Sequence, residues 1–300
     1  MCRAIDILGG MFATIVPWTI ITIALFAALP AGRCTAQGLR LPEIERRYDA
    51  VVLVADVQTG RTLGGARLAE AADRRYAPGS LFKLAIGIAA LRSGRFNRSF
   101  TYSCTGKDTI AGAVRRCWNG RGHATTGFRD AMANSCNLYF RRTAEFLTLG
   151  EIVQAARAIG MVPDATAGAD RLFGITDETL LGDAFAVSPS QMMTVALSLA
   201  SRGRLSPGNL SLFDAGFRPL YEGMRQCVTN GTGKNAWSRK FSMGGKTGTV
   251  EVPGMPGQTV GWFIGFAPFD EPRYAVVVMQ RRARGAEAAT LARKALEKLM

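Results

Sequence analysis

The sequence predicts a mixed α/β (α+β) domain: one central antiparallel sheet built from both ends of the chain, flanking helices and a helical insertion. Strand signals cluster at 50–66 and again from 243 to 280. Helical patterns fill the stretch between them, without a repeat at any period, and a last helical pattern closes the chain. Residues 50–56 (Ala-Val-Val-Leu-Val-Ala-Asp) form a β-branched run. Gln58-Thr59-Gly60 and a second short run near Arg61–Leu63 make that run half of a hairpin. Pro78-Gly79 opens an apolar segment from Leu81 to Leu91, stopped by Ser93-Gly94, which reads as a largely buried helix. From about 98 to 235, loop and helix alternate. Within this subdomain Ser188-Pro189 caps a helix over Gln191–Ala200. Strands follow at 243–251, 259–266 and 273–280. Leu291, Ala295, Leu296 and Leu299 keep helical spacing from Glu287 to Met300.

Composition narrows the function classes. The chain of 300 residues is 48% hydrophobic and 20% charged, which excludes disorder as a global description. Net charge is +14, and 30 of the 37 basic residues are Arg, scattered rather than blocked. Such a surface suits an anionic environment, either phospholipid head groups or acidic cell-wall polymer. No finger, ribonucleoprotein signature or basic-region heptad is present, so no nucleic-acid partner is expected. His123 is the sole histidine, which excludes multi-histidine metal sites.

Between Asp6 and Arg33 lie 26 uncharged residues, long enough to cross a bilayer as a helix. Cys34-Thr35-Ala36 also suits cleavage, so residues 1–36 read as a signal peptide or signal anchor. The expected location is outside the cytoplasm, either anchored outward-facing at the cell membrane or in the periplasm. Residues 37–300 then form the exported catalytic domain. Export makes four cysteines ambiguous: Cys104, Cys117, Cys136 and Cys227 allow three pairings. A Cys104–Cys117 bridge would add roughly 3 kcal/mol by loop closure, whereas the alternative is four small buried hydrophobes. The absence of CxxC weighs against zinc, and neither metal nor cofactor is expected.

Three short motifs carry the chemistry. In Ser80-Leu81-Phe82-Lys83, Pro78-Gly79 sets Ser80 at a helix start, where free N–H groups favour negative charge. A spacing of three brings Lys83 onto the same face. Apolar Leu81, Phe82, Leu84 and Ile86 desolvate its ammonium and favour a base. In Ser135-Cys136-Asn137, a hydroxyl and an amide two residues apart can enter one cleft. In Lys246-Thr247-Gly248-Thr249, strand alternation puts Lys246 and Gly248 on one face and Thr247 and Thr249 on the other. Gly248 admits a substrate backbone, and the strand edge can pair with a peptide. Composition alone would produce all three motifs in a stated order in roughly one random chain in a thousand.

This set resembles the penicillin-interacting serine acyltransferases, which include penicillin-binding proteins and serine β-lactamases. Tyr102-Ser103-Cys104-Thr105-Gly106, Cys117-Trp118-Asn119, Gly122-His123 and the run from Ser135 to Phe140 look like class B penicillin-binding proteins. So do Val187-Ser188-Pro189-Ser190-Gln191, the stretch from Gly261 to Pro268, and Gly285-Ala286-Glu287-Ala288-Ala289. The resemblance covers about residues 45 to 300 and implies the β-lactamase/transpeptidase-like fold. It implies Ser80 as acylated nucleophile, Lys83 as general base and Ser135 as proton relay. Asn137 would bind a side-chain amide, while Lys246, Thr247 and Thr249 would hold the terminal carboxylate. The backbone N–H groups of Ser80 and Thr249 would form the oxyanion hole. His123 is expected to be structural. The implied reaction is acyl transfer from D-alanyl-D-alanine ends of peptidoglycan stem peptides, with β-lactams as acylating analogues and cell-wall synthesis proteins as partners. Two rivals remain: a hydrolase (β-lactamase or D,D-carboxypeptidase), and a penicillin-sensing or peptidoglycan-binding module without turnover. Against the first, Glu178-Thr179-Leu180-Leu181-Gly182 fails the class A Glu-x-x-Leu-Asn pattern, and Ser135-x-Asn137 departs from the class D Ser-x-Val. The pedestal domain usual in class B members has no counterpart in the short stretch after Ala36, so a partner that docks on one is not implied.

Overall fold

A six-stranded sheet organises the molecule. The computed structural model describes residues 38–161, 182 and 186–300, and within it Gly38–Met300 forms one compact unit. The expected leader at 1–36 and the segment Glu178–Leu181 lie outside the described residues. In chain order the strands are β1 (Leu39–Arg40), β2 (Ala50–Asp56), β3 (Thr62–Ala66), β8 (Gly244–Glu251), β9 (Thr259–Ala267) and β10 (Tyr274–Arg281). Their spatial order is β1-β3-β2-β10-β9-β8, antiparallel except for the short β1–β3 pair. Strand β2 from the first part of the chain thus pairs with β10 from the end, with Val54 opposite Val276 and Val52 opposite Val278.

Strand alternation divides this sheet between two cores. Val51, Leu53, Ala55, Trp262, Ile264, Phe266, Ala275 and Val277 point to one face, with the helices of the central subdomain. Val52, Val54, Phe263, Val276 and Val278 point to the other, against the C-terminal helix α8 (Gly285–Leu296). Both faces are covered, which is why β2 reads as a continuous apolar run and not as an alternating one.

Helix α1 (Pro42–Arg47) precedes the sheet proper, and α2 (Lys83–Arg92) runs through the first core with every residue from Lys83 to Leu91 buried. Helices α3 (Phe128–Asn134), α4 (Asn137–Ala144), α5 (Leu149–Ala158), α6 (Pro189–Ala200) and α7 (Arg218–Thr229) complete the described subdomain. Helix α6 begins as expected: Ser188 accepts from Gln191 N at 3.2 Å and Gln191 Oε1 accepts from Ser188 N at 3.0 Å, a capping box with Pro189 in the first turn.

One expectation needs correction. The subdomain opens on strands and not on helix and loop. Strand β4 (Thr101–Cys104) pairs with β7 (Ala124–Gly127), and β5 (Lys107–Ile110) with β6 (Ala113–Arg116). Four-residue strands with one or two inward positions leave no periodicity to read. They are tied down by polar contacts: Asp108 accepts from Tyr102 Oη at 2.8 Å and from Arg142 Nη2 at 2.7 Å.

Candidate active site

The turn that carries Ser80 rests on the edge strand β8. Trp262 Nε1 donates to Ala77 O at 3.0 Å, pinning the chain just before the turn. Gly79 adopts φ +53°, and a Cβ there would stand 2.5 Å from Val250 Cγ1. Gly248 is equally confined, since a Cβ would lie 2.8 Å from Pro78 O. Two glycines therefore let the turn and the strand approach within backbone contact. Residues 79–82 form a 3₁₀ turn that runs straight into α2, so Ser80 and Lys83 stand one turn apart, as their spacing predicted.

Ser135 terminates α3 in the left-handed conformation, at φ +56° and ψ 40°. Cys136 then caps α4, and Asn137 is its first residue. A serine held in this region carries strain of about 1–3 kcal/mol, and such strain clusters at functional sites. The joint delivers Ser135 and Asn137 to Lys83.

Lys83 is fully buried. Its Nζ lies 2.6 Å from Asn137 Oδ1, 2.8 Å from Ser135 O, 3.1 Å from Ser80 Oγ and 3.2 Å from Ser135 Oγ. Burial, and next the charge of Lys246, hold its pKa well below the usual lysine range. A neutral amine has two N–H groups and one lone pair. The two pure acceptors, Ser135 O and Asn137 Oδ1, take the N–H groups and leave the lone pair for the hydroxyls. Lys246 approaches from the other side: its Nζ donates to Ser135 Oγ at 3.0 Å and to Thr247 O at 2.9 Å. Burial lowers this lysine to about 8. The Ser135 hydroxyl is thus bracketed by two lysines.

Strand alternation places the rest of the third motif. Gly248 meets the Ser80 turn, while on the opposite side Thr249 Oγ1 accepts from Gly285 N at 2.9 Å. Thr247 Oγ1 is 2.6 Å from Thr232 Oγ1, and Thr232 donates to Ala133 O at 3.2 Å. Thr232 links the lysine strand to α3, a role with no motif to announce it. Strand β8 ends the sheet among the described residues, and an edge strand is where an extended peptide can pair.

Of the eight residues singled out from the sequence, Ser80, Lys83, Ser135, Asn137 and Lys246 meet in one hydrogen-bonded cluster, while Thr247, Gly248 and Thr249 follow along β8 with the two threonine hydroxyls engaged by Thr232 and Gly285. The cysteines do something the spacing did not foretell. Cys104, Cys117, Cys136 and Cys227 are all buried free thiols, and the first three gather around His123 beside the Ser135 turn. The four groups come from four separate segments, so no CxxC spacing joins them.

Comparison with known proteins agrees with this fold. Residues 50–300 match the model of the penicillin binding protein transpeptidase domain. The chain is 24% identical over 250 residues to stage V sporulation protein D of Bacillus subtilis, covering 70% of this chain and 39% of that protein. It is also 24% identical over 277 residues to the peptidoglycan D,D-transpeptidase MrdA of Acinetobacter baumannii, covering 73% and 41% respectively. The chain thus spans about two fifths of the length of these relatives. A similar backbone occurs in the complex between penicillin-binding protein PBP2 and MreC from Helicobacter pylori, with a TM-score of 0.71 and 20% identity over 86% of this chain and 61% of that one. With a family match over most of the sequence and the lysine-bracketed serine of its fold in place, the chain belongs to the penicillin binding protein transpeptidase domain family.

Proposed function

We propose that the protein is a serine D,D-transpeptidase that transfers the acyl group of D-alanyl-D-alanine stem-peptide ends to an amine through an ester on Ser80, and that β-lactams acylate the same serine. The observation that carries this reading is the dry Lys83 amine, its two N–H groups committed and its lone pair facing hydroxyls, 3.1 Å from Ser80 Oγ.

In the proposed reaction Lys83 takes the Ser80 proton as Oγ attacks the penultimate carbonyl carbon. The oxyanion forms against the N–H groups of Ser80 and Thr249. Collapse breaks the peptide bond. Ser135 hands its proton to the departing D-alanine nitrogen and is reprotonated from Lys83, leaving an ester and a free amine. Lys246, with the Thr247 and Thr249 hydroxyls, holds the terminal carboxylate, and Asn137 binds the side-chain amide. The acceptor amine then attacks the ester by the reverse proton route. Lys246 supports the relay by occupying a Ser135 lone pair, which turns the hydroxyl proton toward Lys83 or the leaving group.

Among the described residues, no carboxylate bonds to Ser80, Lys83, Ser135 or Lys246. The described partners of this site therefore include no group to aim water at the ester, which supports transfer over hydrolysis. Residues 1–36 are read as the export leader or anchor and 37–300 as the catalytic domain, acting on the outer face of the membrane. No helix among the described residues is long and apolar enough to cross a membrane. The relative solved with MreC supports a cell-wall partner protein for this chain as well.

The test is to acylate the purified protein with a fluorescent penicillin, remove free drug and follow the intact mass. Without general-base help worth roughly 10²–10⁴-fold, the adduct should last minutes to hours. Loss within seconds with steady drug turnover would identify a β-lactamase instead.

A further inference from the structure

The two ends of the central sheet differ in chemistry. At one end Thr249 lies opposite Gly261, Gly261 opposite Gln280 and Gln280 opposite Ala50. The Ser80 turn rests at this end, against Gly248 and Val250. At the other end Gly244, Phe266, Ala275, Ala55 and Thr62 form one row across five strands. Five steps along β8 separate the rows, roughly 17 Å at about 3.4 Å per residue. Strand β1 runs parallel to β3 with Leu39 opposite Gly64, and a Cβ on Gly38 would stand 3.3 Å from Leu63 O. The chain therefore enters this unit at the end remote from Ser80.

That remote end carries apolar and positive surface together. Three aromatics are at least half exposed among the described residues: Trp118 at 58%, Phe213 at 73% and Trp237 at 50%. Trp118 belongs to the catalytic side, where its Nε1 donates to Asn134 O beside Ser135. The other two belong to the remote end. Trp237 precedes the run into β8, and Phe269 N ties that run to the exit of β9 by donating to Ser242 Oγ at 3.0 Å. Phe213 shares a cavity of about 620 Å³ with Val57 and Phe269, and Arg204 fastens the neighbouring loop to Val57 O and Gln58 O at 2.6 and 3.2 Å. Leu212 packs into the core on one face of the sheet, Ala236 and Phe241 into the core on the other. One exposed aromatic thus flanks each side of the sheet end, which makes a broad face and not a groove. Around them Arg61, Arg239 and Lys240 are exposed and make no ion pair among the described residues. The acids here are largely committed: Asp56 accepts from Thr59, Asp214 from Gly216 N, and Asp270 faces Arg225 at 3.9 Å, leaving Glu271.

We propose that this end of the sheet is a membrane-docking face: Phe213 and Trp237 seat in the headgroup layer of an anionic phospholipid bilayer, Arg61, Arg239 and Lys240 meet its phosphates, and the Ser80 site is held on the side away from the lipid. Aromatic rings gain most where one part of the side chain is dry and the rest is wet, and uncommitted cations beside them add attraction to an anionic leaflet. A flat lipid surface suits two anchors set on opposite sides of a sheet, whereas a polymer chain needs a groove. Entry of the chain at Gly38 agrees with this orientation, since residues 1–36 join the unit at the proposed face. That part of the argument rests on the reading of 1–36 as a leader or anchor; the lipid contact of the aromatics and cations does not.

The experiment mixes the full chain with vesicles of phosphatidylglycerol and phosphatidylethanolamine, or of phosphatidylcholine alone, and reads hydroxyl-radical labelling of aromatic side chains by peptide mass. In the anionic vesicles labelling of Phe213 and Trp237 should fall about fivefold or more relative to phosphatidylcholine, while Trp118 stays as reactive as before. The double variant Arg239→Gln, Lys240→Gln changes only exposed side chains, and it should restore most of the labelling of Trp237. Fluorescent penicillin should acylate this variant at the wild-type rate, because neither residue touches the Ser80 site. Ser80→Ala should lose the penicillin label and keep the protection of Phe213 and Trp237, which separates failure of the docking face from failure of the transpeptidase reading. A chain that stays in solution beside anionic vesicles, equal labelling of Trp237 in both lipids, or protection of Trp118 in place of Trp237 would overturn the proposal. Soluble polyglutamate that protects both aromatics as well as the vesicles do would assign the face to an acidic polymer and refute the lipid contact.

Discussion

Two ammonium groups on one hydroxyl in a dry site cannot both be charged cheaply, and this constraint governs the chemistry of Lys83 and Lys246. Both are fully buried, and Lys83, lowered further by the charge of Lys246, gives up its proton first; Lys246 stays charged up to about 8. The rate of penicillin acylation should therefore climb with pH as Lys83 becomes free base, and fall above about pH 8 as Lys246 loses its hold on the carboxylate. A profile flat across that range in stopped-flow acylation would contradict this division of labour. Lys83→Met keeps the bulk and removes the base, so acylation should slow by roughly 10²-fold or more, while Ser80 remains in place. Lys246 also bears on stability. Its native pKa of about 8 lies below the ordinary 10.5, so the cost of burying the ammonium is present in full below pH 8 and fades as pH approaches 10.5. That cost is about 3 kcal/mol, part of it offset by the two hydrogen bonds. Lys246→Met should accordingly raise Tm at pH 7 and abolish rapid acylation. The gain in Tm should shrink by pH 10, which thermal melts at the two pH values would check.

At the scale of elements, the site depends on close approach of backbones. The Ser80 turn lies on β8 because neither Gly79 nor Gly248 has a side chain to hold it off. Gly248→Ala puts a Cβ 2.8 Å from Pro78 O, a backbone atom that can move only with the whole turn. A displacement on the order of 1 Å at a reacting group can cost about 10²-fold, so acylation should drop by that factor while circular dichroism keeps the native spectrum. A rate equal to wild type would show that the turn is positioned from the α2 side alone. The α3–α4 joint works differently. Its αL serine was not predictable from Ser-x-Asn, which suits any turn, but the short gap between two amphipathic segments leaves no slack for a relaxed loop.

Across the whole molecule, the six-stranded sheet joins residues from the first quarter of the chain to its last, and helices cover both faces. Residues 38–300, produced without the preceding segment, should therefore fold and take up fluorescent penicillin at the rate of the full chain; a truncated protein that melts early or fails to label would show that the preceding residues contribute to the fold. Strands β2, β9 and β10, the capped α6 and the Ser80–Lys83 pair were legible because each is written in local chemistry: a β-branched run, a Ser-Pro start with Gln three residues on, a spacing of one helical turn. Such signals act over a few residues, and the chain determines them before it folds. Lys83 reaches Ser135 across 52 positions and Lys246 reaches it across 111; Thr232 bridges Ala133 and Thr247, and three cysteines close on one histidine. The motifs named most of these residues and not their mutual distances. Only packing of the helical subdomain against the sheet decides those, because contact between segments far apart in sequence is set by buried shape and glycine-permitted approach, which no short window of residues encodes.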